Sequence, residues 1–195
     1  MMENKKAELL NSKAAREESK AKEVVATLRL KKGMRVADIG SGGGYFSLLL
    51  AEAVGAKGKV YMVDTDPKHL DFSMALAKGK GVANIEPVLA SETSPNLPEG
   101  KADLIFMRSV CHHMKNRAEY FSALKRFLAP GGRVALIDYS RGPFLRFRWL
   151  FGHYVEKDVV GKEMLEAGFH LDESFGFIQR QWFMVFSPLP SQESR

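Results

Sequence analysis

The chain contains a single cysteine, Cys111, among 195 residues. That excludes an intramolecular disulfide and a multi-cysteine metal site. Long hydrophobic runs are missing too. No apolar stretch approaches the roughly 20 residues that cross a bilayer, and the N-terminus, Met-Met-Glu-Asn-Lys-Lys, lacks the apolar segment of a signal peptide. A reducing cytoplasmic setting is the expectation. Histidine is scarce, and no His/Cys/carboxylate cluster has metal-ligand spacing. His112 and His113 are adjacent, and neighbouring residues rarely aim both rings at one ion, so no metal is expected.

What is present fits one domain with a substantial core. The hydrophobic fraction is 45%, the net charge +6 and the sequence pI near 9.4. Such a charge permits contact with nucleic acid or an anionic membrane without establishing either. Along the chain, residues 3–23 are rich in Lys, Glu and Ala and read as one largely solvated helix. Val24, Val25, Leu28 and Leu30 give it an apolar end, and Gly33 is placed as its C-terminal cap.

Strands then alternate with helices: a strand over 34–39, a helix over 44–54, a strand over 58–64. The next helix starts with Asp66 as cap and Pro67 in the first helical position. A short strand over 85–89 belongs at a sheet edge, because Pro87 cannot donate to a ladder. A polar loop (91–101) leads to a fourth strand over 102–107. Asn116 and Glu119 have capping-box spacing. The helix they open is expected to stop at Pro130-Gly-Gly132, before a fifth strand over 134–138. This alternation predicts an α/β, doubly wound, mostly parallel sheet. After a helix over 156–167, strands over 169–177 and 180–186 are joined too closely for a crossover, so they form an antiparallel hairpin. The expected organisation is an N-terminal helical extension (1–30), a main domain (31–187) with a seven-stranded Rossmann-like sheet, and a disordered tail (188–195).

The stretch Val36-Ala-Asp-Ile-Gly-Ser-Gly-Gly-Gly-Tyr-Phe46 carries the most information. An apolar strand runs into a glycine turn, and an apolar helix follows. Such a turn lets a ligand approach the main chain, with the free N–H groups of a helix behind it. Asp38, two residues before the first glycine, suits a cationic ligand better than a pyrophosphate. Asp64 follows Gly44 by 20 residues and ends the second strand, where a carboxylate can accept hydrogen bonds from both ribose hydroxyls.

On these residues the chain resembles the class I S-adenosylmethionine-dependent methyltransferases. Asp-Ile-Gly-Ser-Gly-Gly-Gly44 looks like their first motif, Val63-Asp64 like the acidic end of their second strand, Asp103 to Met107 like their fourth strand, and Leu128 to Val134 like the approach to their fifth. The resemblance covers about residues 24–186. It implies S-adenosylmethionine as cofactor. By that resemblance the Asp38 region and the Gly40 backbone hold its methionine part, Ser41, Gly42, Gly44 and Tyr45 are cofactor-binding residues of the same turn, Asp64 takes the ribose, Thr65 and Ser91 lie beside the adenine, and Arg108 closes the site through its backbone. Candidate bases are His112, His113 and His153. Asp66 is assigned to helix capping, and Cys111 reads as a small buried residue.

The segment 139–154 alternates Arg141, Arg146 and Arg148 with aromatic residues and reads as a partly packed substrate lid. It also suits an RNA strand or a membrane surface. The missing Asn/Asp-Pro-Pro-Tyr/Phe run weakens an adenine-amine acceptor, and a small organic acceptor is the default. Two alternatives stay open. One is a nicotinamide-dependent oxidoreductase, against which Asp38, the closing hairpin and the lack of a Tyr-x-x-x-Lys pair all count. The other is a non-catalytic RNA-binding or partner-binding protein of the same fold.

Overall fold

A computed structural model of the chain describes residues 5–140 and 154–190. Among them are seven strands: β1 (Arg35–Ile39), β2 (Lys59–Asp64), β3 (Ile85–Leu89), β4 (Ala102–Arg108), β5 (Leu128–Tyr139), β6 (Phe169–Phe175) and β7 (Gln181–Pro188). They form one sheet in the order β3-β2-β1-β4-β5-β7-β6. The first five run parallel, and β7 is antiparallel to both β5 and β6. Pro87 sits on β3, an edge strand, where its missing N–H costs no ladder bond.

The helices are α1 (Lys5–Ala14), α2 (Ala21–Thr27), α3 (Tyr45–Val54), α4 (Pro67–Gly79), α5 (Arg117–Leu124) and α6 (Lys157–Glu166). Strand residues alternate between two cores, as a pleated sheet with both faces covered requires. Val36, Leu104, Phe106 and Ile137 pack with α2, α3 and α4 on one face. Ala37, Ile105, Met107 and Leu136 pack with α5 and α6 on the other. Successive strands run outward from β1 through β2 to β3, and the chain then returns to place β4 on β1's other side. The carboxyl ends of β1 and β4 therefore flank a topological switch point, where open α/β sheets bind ligands.

Local details differ from the sequence expectation. The N-terminal segment is two helices rather than one. Lys20 adopts a left-handed conformation (φ 51°), and the Ser19 hydroxyl donates to Ala14 O at 2.6 Å, closing a separate turn. Gly33 does not cap α2, which ends at Thr27; Arg29 takes the left-handed position instead (φ 53°). Gly33 closes the next turn, donating to Val54 O.

The Asn116–Glu119 capping box does not form, since no side-chain cap bond is made at Asn116. The helix it precedes stops at Leu124, well before Pro130. Pro130-Gly-Gly132 instead lies inside β5, where the pairing with β4 shifts register between Ala102 and Leu104. A proline without an N–H and Gly131 at φ 75° make a bulge, not a helix end. β7 runs through Pro188, and the Leu189 N–H donates to Gly168 O. No helix among the described residues is long and apolar enough to cross a membrane.

Candidate active site

The loop leaving β1 is tied to its neighbour, because the N–H groups of Gly40 and Ser41 both donate to Val63 O (2.8 and 3.0 Å). Gly44 forms the N-cap of α3 at φ 78°, and a Cβ there would lie 2.7 Å from Ser73 Cβ, so both backbone angle and space select glycine. Gly42, Gly43 and Gly44 are all buried. Gly44 lies against Ser73 of α4, and what covers Gly42 and Gly43 is α1. A Cβ on Gly43 would overlap the Ala7 carbonyl, and one on Gly42 would press on Leu10 at 3.2 Å. The extension thus lies directly on the glycine loop.

Asp38 points from β1 to the α3 side and is almost fully buried. It accepts a bond from the Ser47 hydroxyl at 2.5 Å. Burial pushes its carboxyl up from 3.8 to about 7; Ser47 opposes this, Asp64 adds to it, and Arg108 opposes it. Near neutral pH this acid is poised between its two forms, and a cation placed beside it would favour the ionised one.

Asp64 ends β2 with its carboxylate also buried. Oδ2 accepts the Gly42 N–H at 2.8 Å, and Oδ1 accepts the Asp66 N–H at 3.0 Å and faces His69 Nδ1 at 3.2 Å. A carboxylate has about four lone-pair sites. Three are engaged, which leaves one on Oδ2. A bond to a single ribose hydroxyl therefore fits the geometry without rearrangement, whereas a bond to both needs the Gly42 contact to give way. Asp66 caps α4, accepting the Lys68 N–H at 3.0 Å.

The remaining sequence candidates are placed less uniformly. Tyr45 opens α3, and Thr65 is exposed immediately after Asp64. Ser91 follows β3, but its hydroxyl accepts from the Thr93 and Ser94 N–H groups, so it is engaged in its own turn. Arg108 ends β4, and its side chain turns toward β1. Its guanidinium donates to Gln181 Oε1 at 2.8 Å, stacks 4.6 Å from the Phe46 ring and lies near Asp38. Burial lowers its pKa from the ordinary value.

On the opposite face of the sheet, His112 meets a residue that sequence reasoning did not single out. Asp138, fully buried near the end of β5, faces His112 Nδ1 at 2.7 Å. The same carboxylate accepts the backbone N–H groups of His112 (3.2 Å) and Tyr139 (2.7 Å). The His113 ring lies 4.0 Å from that of His112. Cys111 is fully buried, and its thiol is pushed well up by burial and by Asp138, which removes it as a nucleophile. His153, Arg141, Arg146 and Arg148 lie outside the described residues. Among those described, no three His, Cys, Asp or Glu side chains converge as a metal site requires.

Several residues near the glycine loop were legible only in part. His69 and Ser73 approach it from α4, and Ser73 donates to Gly42 O at 3.0 Å. Asn11 Oδ1 and Ser41 Oγ are buried with no partner of their own. Two orphaned acceptors and two buried carboxylates around a glycine turn fit a ligand that carries positive charge and N–H or O–H donors. An S-adenosylmethionine molecule, with its ammonium, sulfonium and ribose hydroxyls, has that chemistry.

Comparison with known proteins agrees. The profile of the methyltransferase-domain family matches residues 30–175. Phosphoethanolamine N-methyltransferase 1 of Arabidopsis thaliana is 32% identical over 158 residues, covering 76% of this chain and 31% of that protein. The chain therefore spans less than a third of that relative's length. Demethylmenaquinone methyltransferase of Geobacillus stearothermophilus is 26% identical over 136 residues, 68% of this chain and 57% of that one. A solved SAM-dependent methyltransferase from Aquifex aeolicus superposes with a TM-score of 0.78 at 24% identity, over 90% of this chain and 95% of that chain, a likeness of fold. With three quarters of its length matched, and with the seven-stranded order and the acid-flanked glycine loop in place, the chain belongs to the methyltransferase-domain family.

Proposed function

We propose that this protein transfers the methyl group of S-adenosylmethionine to a small organic acceptor. The observation that carries the reading is the pair of buried carboxylates, Asp38 and Asp64, set on either side of the glycine loop at the switch point. Once bound, the sulfonium supplies an activated methyl group, so alignment and exclusion of water are the protein's main tasks.

Asp38 and the loop from Gly40 to Tyr45 hold the methionine part. Ser41 Oγ and Asn11 Oδ1 offer acceptors to its ammonium. The remaining lone pair on Asp64 Oδ2 takes a ribose hydroxyl, with Thr65 and Ser91 bordering the base. Arg108, steadied by Gln181 and Phe46, sets the charge opposite Asp38. Residues 31–187 are the catalytic unit. The extension covers the glycine loop through Ala7 and Leu10 and so excludes water from it.

A small acceptor accords with the relatives, whose names specify phosphoethanolamine and demethylmenaquinone. RNA or an anionic membrane, reached through Arg141, Arg146 and Arg148, is the second choice. A reducing cytoplasmic location suits the lone buried thiol. The nicotinamide reading has little support, because Asp38 lies where the negative charge of a pyrophosphate would be repelled. Isothermal titration tests the proposal: S-adenosylmethionine and S-adenosylhomocysteine bind with 1:1 stoichiometry and NADH does not. Binding of NADH alone sinks it.

A further inference from the structure

Two polar residues of α4, His69 and Ser73, are buried beside the glycine loop, and neither is needed as a direct contact to the cofactor. They stand one helical turn apart and so share a face of α4. Leu70 and Ala77 turn to the core instead. The polar face closes a ring of hydrogen bonds. Ser73 Oγ donates to Gly42 O at 3.0 Å, the Gly42 N–H donates to Asp64 Oδ2 at 2.8 Å, and Asp64 Oδ1 faces His69 Nδ1 at 3.2 Å. The glycine loop, the acid ending β2 and one turn of α4 are thereby tied into a single unit.

The direction of the His69 bond follows from its partner. Asp64 already takes two backbone N–H groups, from Gly42 and Asp66, and a carboxylate accepts, so Nδ1 is the donor. Nε2 is buried with no hydrogen-bond partner among the described residues; Asp66 Oδ2 lies 3.6 Å away, beyond hydrogen-bond reach. A buried ring nitrogen without a partner costs stability, and a leucine here would avoid that cost. What the histidine adds at this position is its one bond to Asp64.

With His69 and the Asp66 N–H both on Oδ1, the lone pair left for a ligand is on Oδ2, next to Gly42. The carboxylate also loses its freedom to turn about its side-chain bonds before any ligand arrives. That ordering is then no cost of binding.

We infer that His69 is a positioning residue of the ribose subsite: acting through Asp64, and without touching the cofactor, it fixes which carboxylate oxygen receives a ribose hydroxyl. Ser73 holds the other end of the ring at Gly42. The inference rests on the methyl-transfer reading.

Binding alone tests it, with no methyl acceptor required. Isothermal titration of the full chain with S-adenosylhomocysteine and with its 2′,3′-dideoxy analogue gives a ratio of dissociation constants that reads the ribose contact. The wild type should favour S-adenosylhomocysteine about 10–100-fold. His69→Leu removes the donor and should lower that preference about 3–10-fold, leaving the affinity for the dideoxy analogue within about twofold of wild type. His69→Gln should do the same, because its amide lies one bond beyond the Nδ1 position. His69→Asn carries an amide nitrogen one bond from Cγ, as Nδ1 is, and should keep the preference within about twofold. Cooperative urea unfolding checks the fold of each variant, and the Gln–Asn pair carries the test where the Leu variant does not fold.

Equal weakening of both ligands in the Leu and Gln variants is the mark of a purely structural histidine and overturns the inference. So does an unchanged preference in both, a loss in His69→Asn as large as in the others, or a wild type that binds the two ligands equally. Failure of the wild type to bind S-adenosylhomocysteine at all defeats the methyl-transfer reading instead.

Discussion

Replacing Asp38 by asparagine keeps the shape of the side chain and a carbonyl oxygen for the Ser47 hydroxyl, but removes the ionisation. The folded protein holds this carboxyl at about 7 against an ordinary 3.8. The difference disfavours the charged form by about 4 kcal/mol, at roughly 1.36 kcal/mol per pH unit. Below pH ~4 the group is protonated in both folded and unfolded chains, and the stability it contributes is fully present. Between about 4 and 7 the unfolded chain has released its proton and the folded chain has not, so that contribution falls as pH rises, and above 7 it levels off.

In the asparagine variant this loss is absent. Measured as the difference between variant and wild type, the variant should gain about 3 kcal/mol in unfolding free energy between pH 5 and pH 8. With a urea dependence of about 2 kcal/mol per molar, the relative midpoint should move by about 1–2 M. Any fixed cost of the amide appears equally at both pH values and cancels. Cofactor affinity should move the opposite way: the wild type binds S-adenosylmethionine more weakly as pH falls through 7, by at most tenfold per unit, and the variant loses this dependence. A difference that stays constant within about 0.5 kcal/mol from pH 5 to 8 would refute the assignment of a buried, poised carboxyl.

Other expectations follow from the same site. Gly44→Ala combines φ 78° with a Cβ 2.7 Å from Ser73 Cβ, and should cost about 2–4 kcal/mol in urea unfolding. Asp64→Asn should weaken S-adenosylhomocysteine binding about 10–100-fold by titration, from the loss of charged hydrogen bonds. Cys111 should resist iodoacetamide in the folded protein at pH 8 and react on unfolding, as a buried thiol beside Asp138 requires.

The sheet was readable from sequence because its signals are local. Strand and helix alternate, the glycine turn marks the first crossover, and the short link after Phe175 allows only a hairpin. Where punctuation was ambiguous, the reading failed. Gly33 and Pro130-Gly-Gly132 carry the same residues that end helices, yet one closes a loop and the other bulges a strand, choices set by neighbours distant in sequence. Asp138 had no local signal as a site residue. An acid ending an apolar strand looks like any strand terminus until the fold sets it against His112, 26 residues earlier. The cover over the glycine loop was similarly hidden. Ala7, Leu10 and Asn11 share one face of α1 by their i, i+3, i+4 spacing, but nothing in that pattern names the surface they meet.

The most direct test of the account is a crystal structure with S-adenosylhomocysteine bound. It should place the nucleoside along Gly40–Tyr45, a ribose hydroxyl on Asp64 and the ammonium against the Asp38 side of the loop. Density for the molecule away from β1 and β2, with Asp64 still held by Gly42, Asp66 and His69 alone, would contradict it.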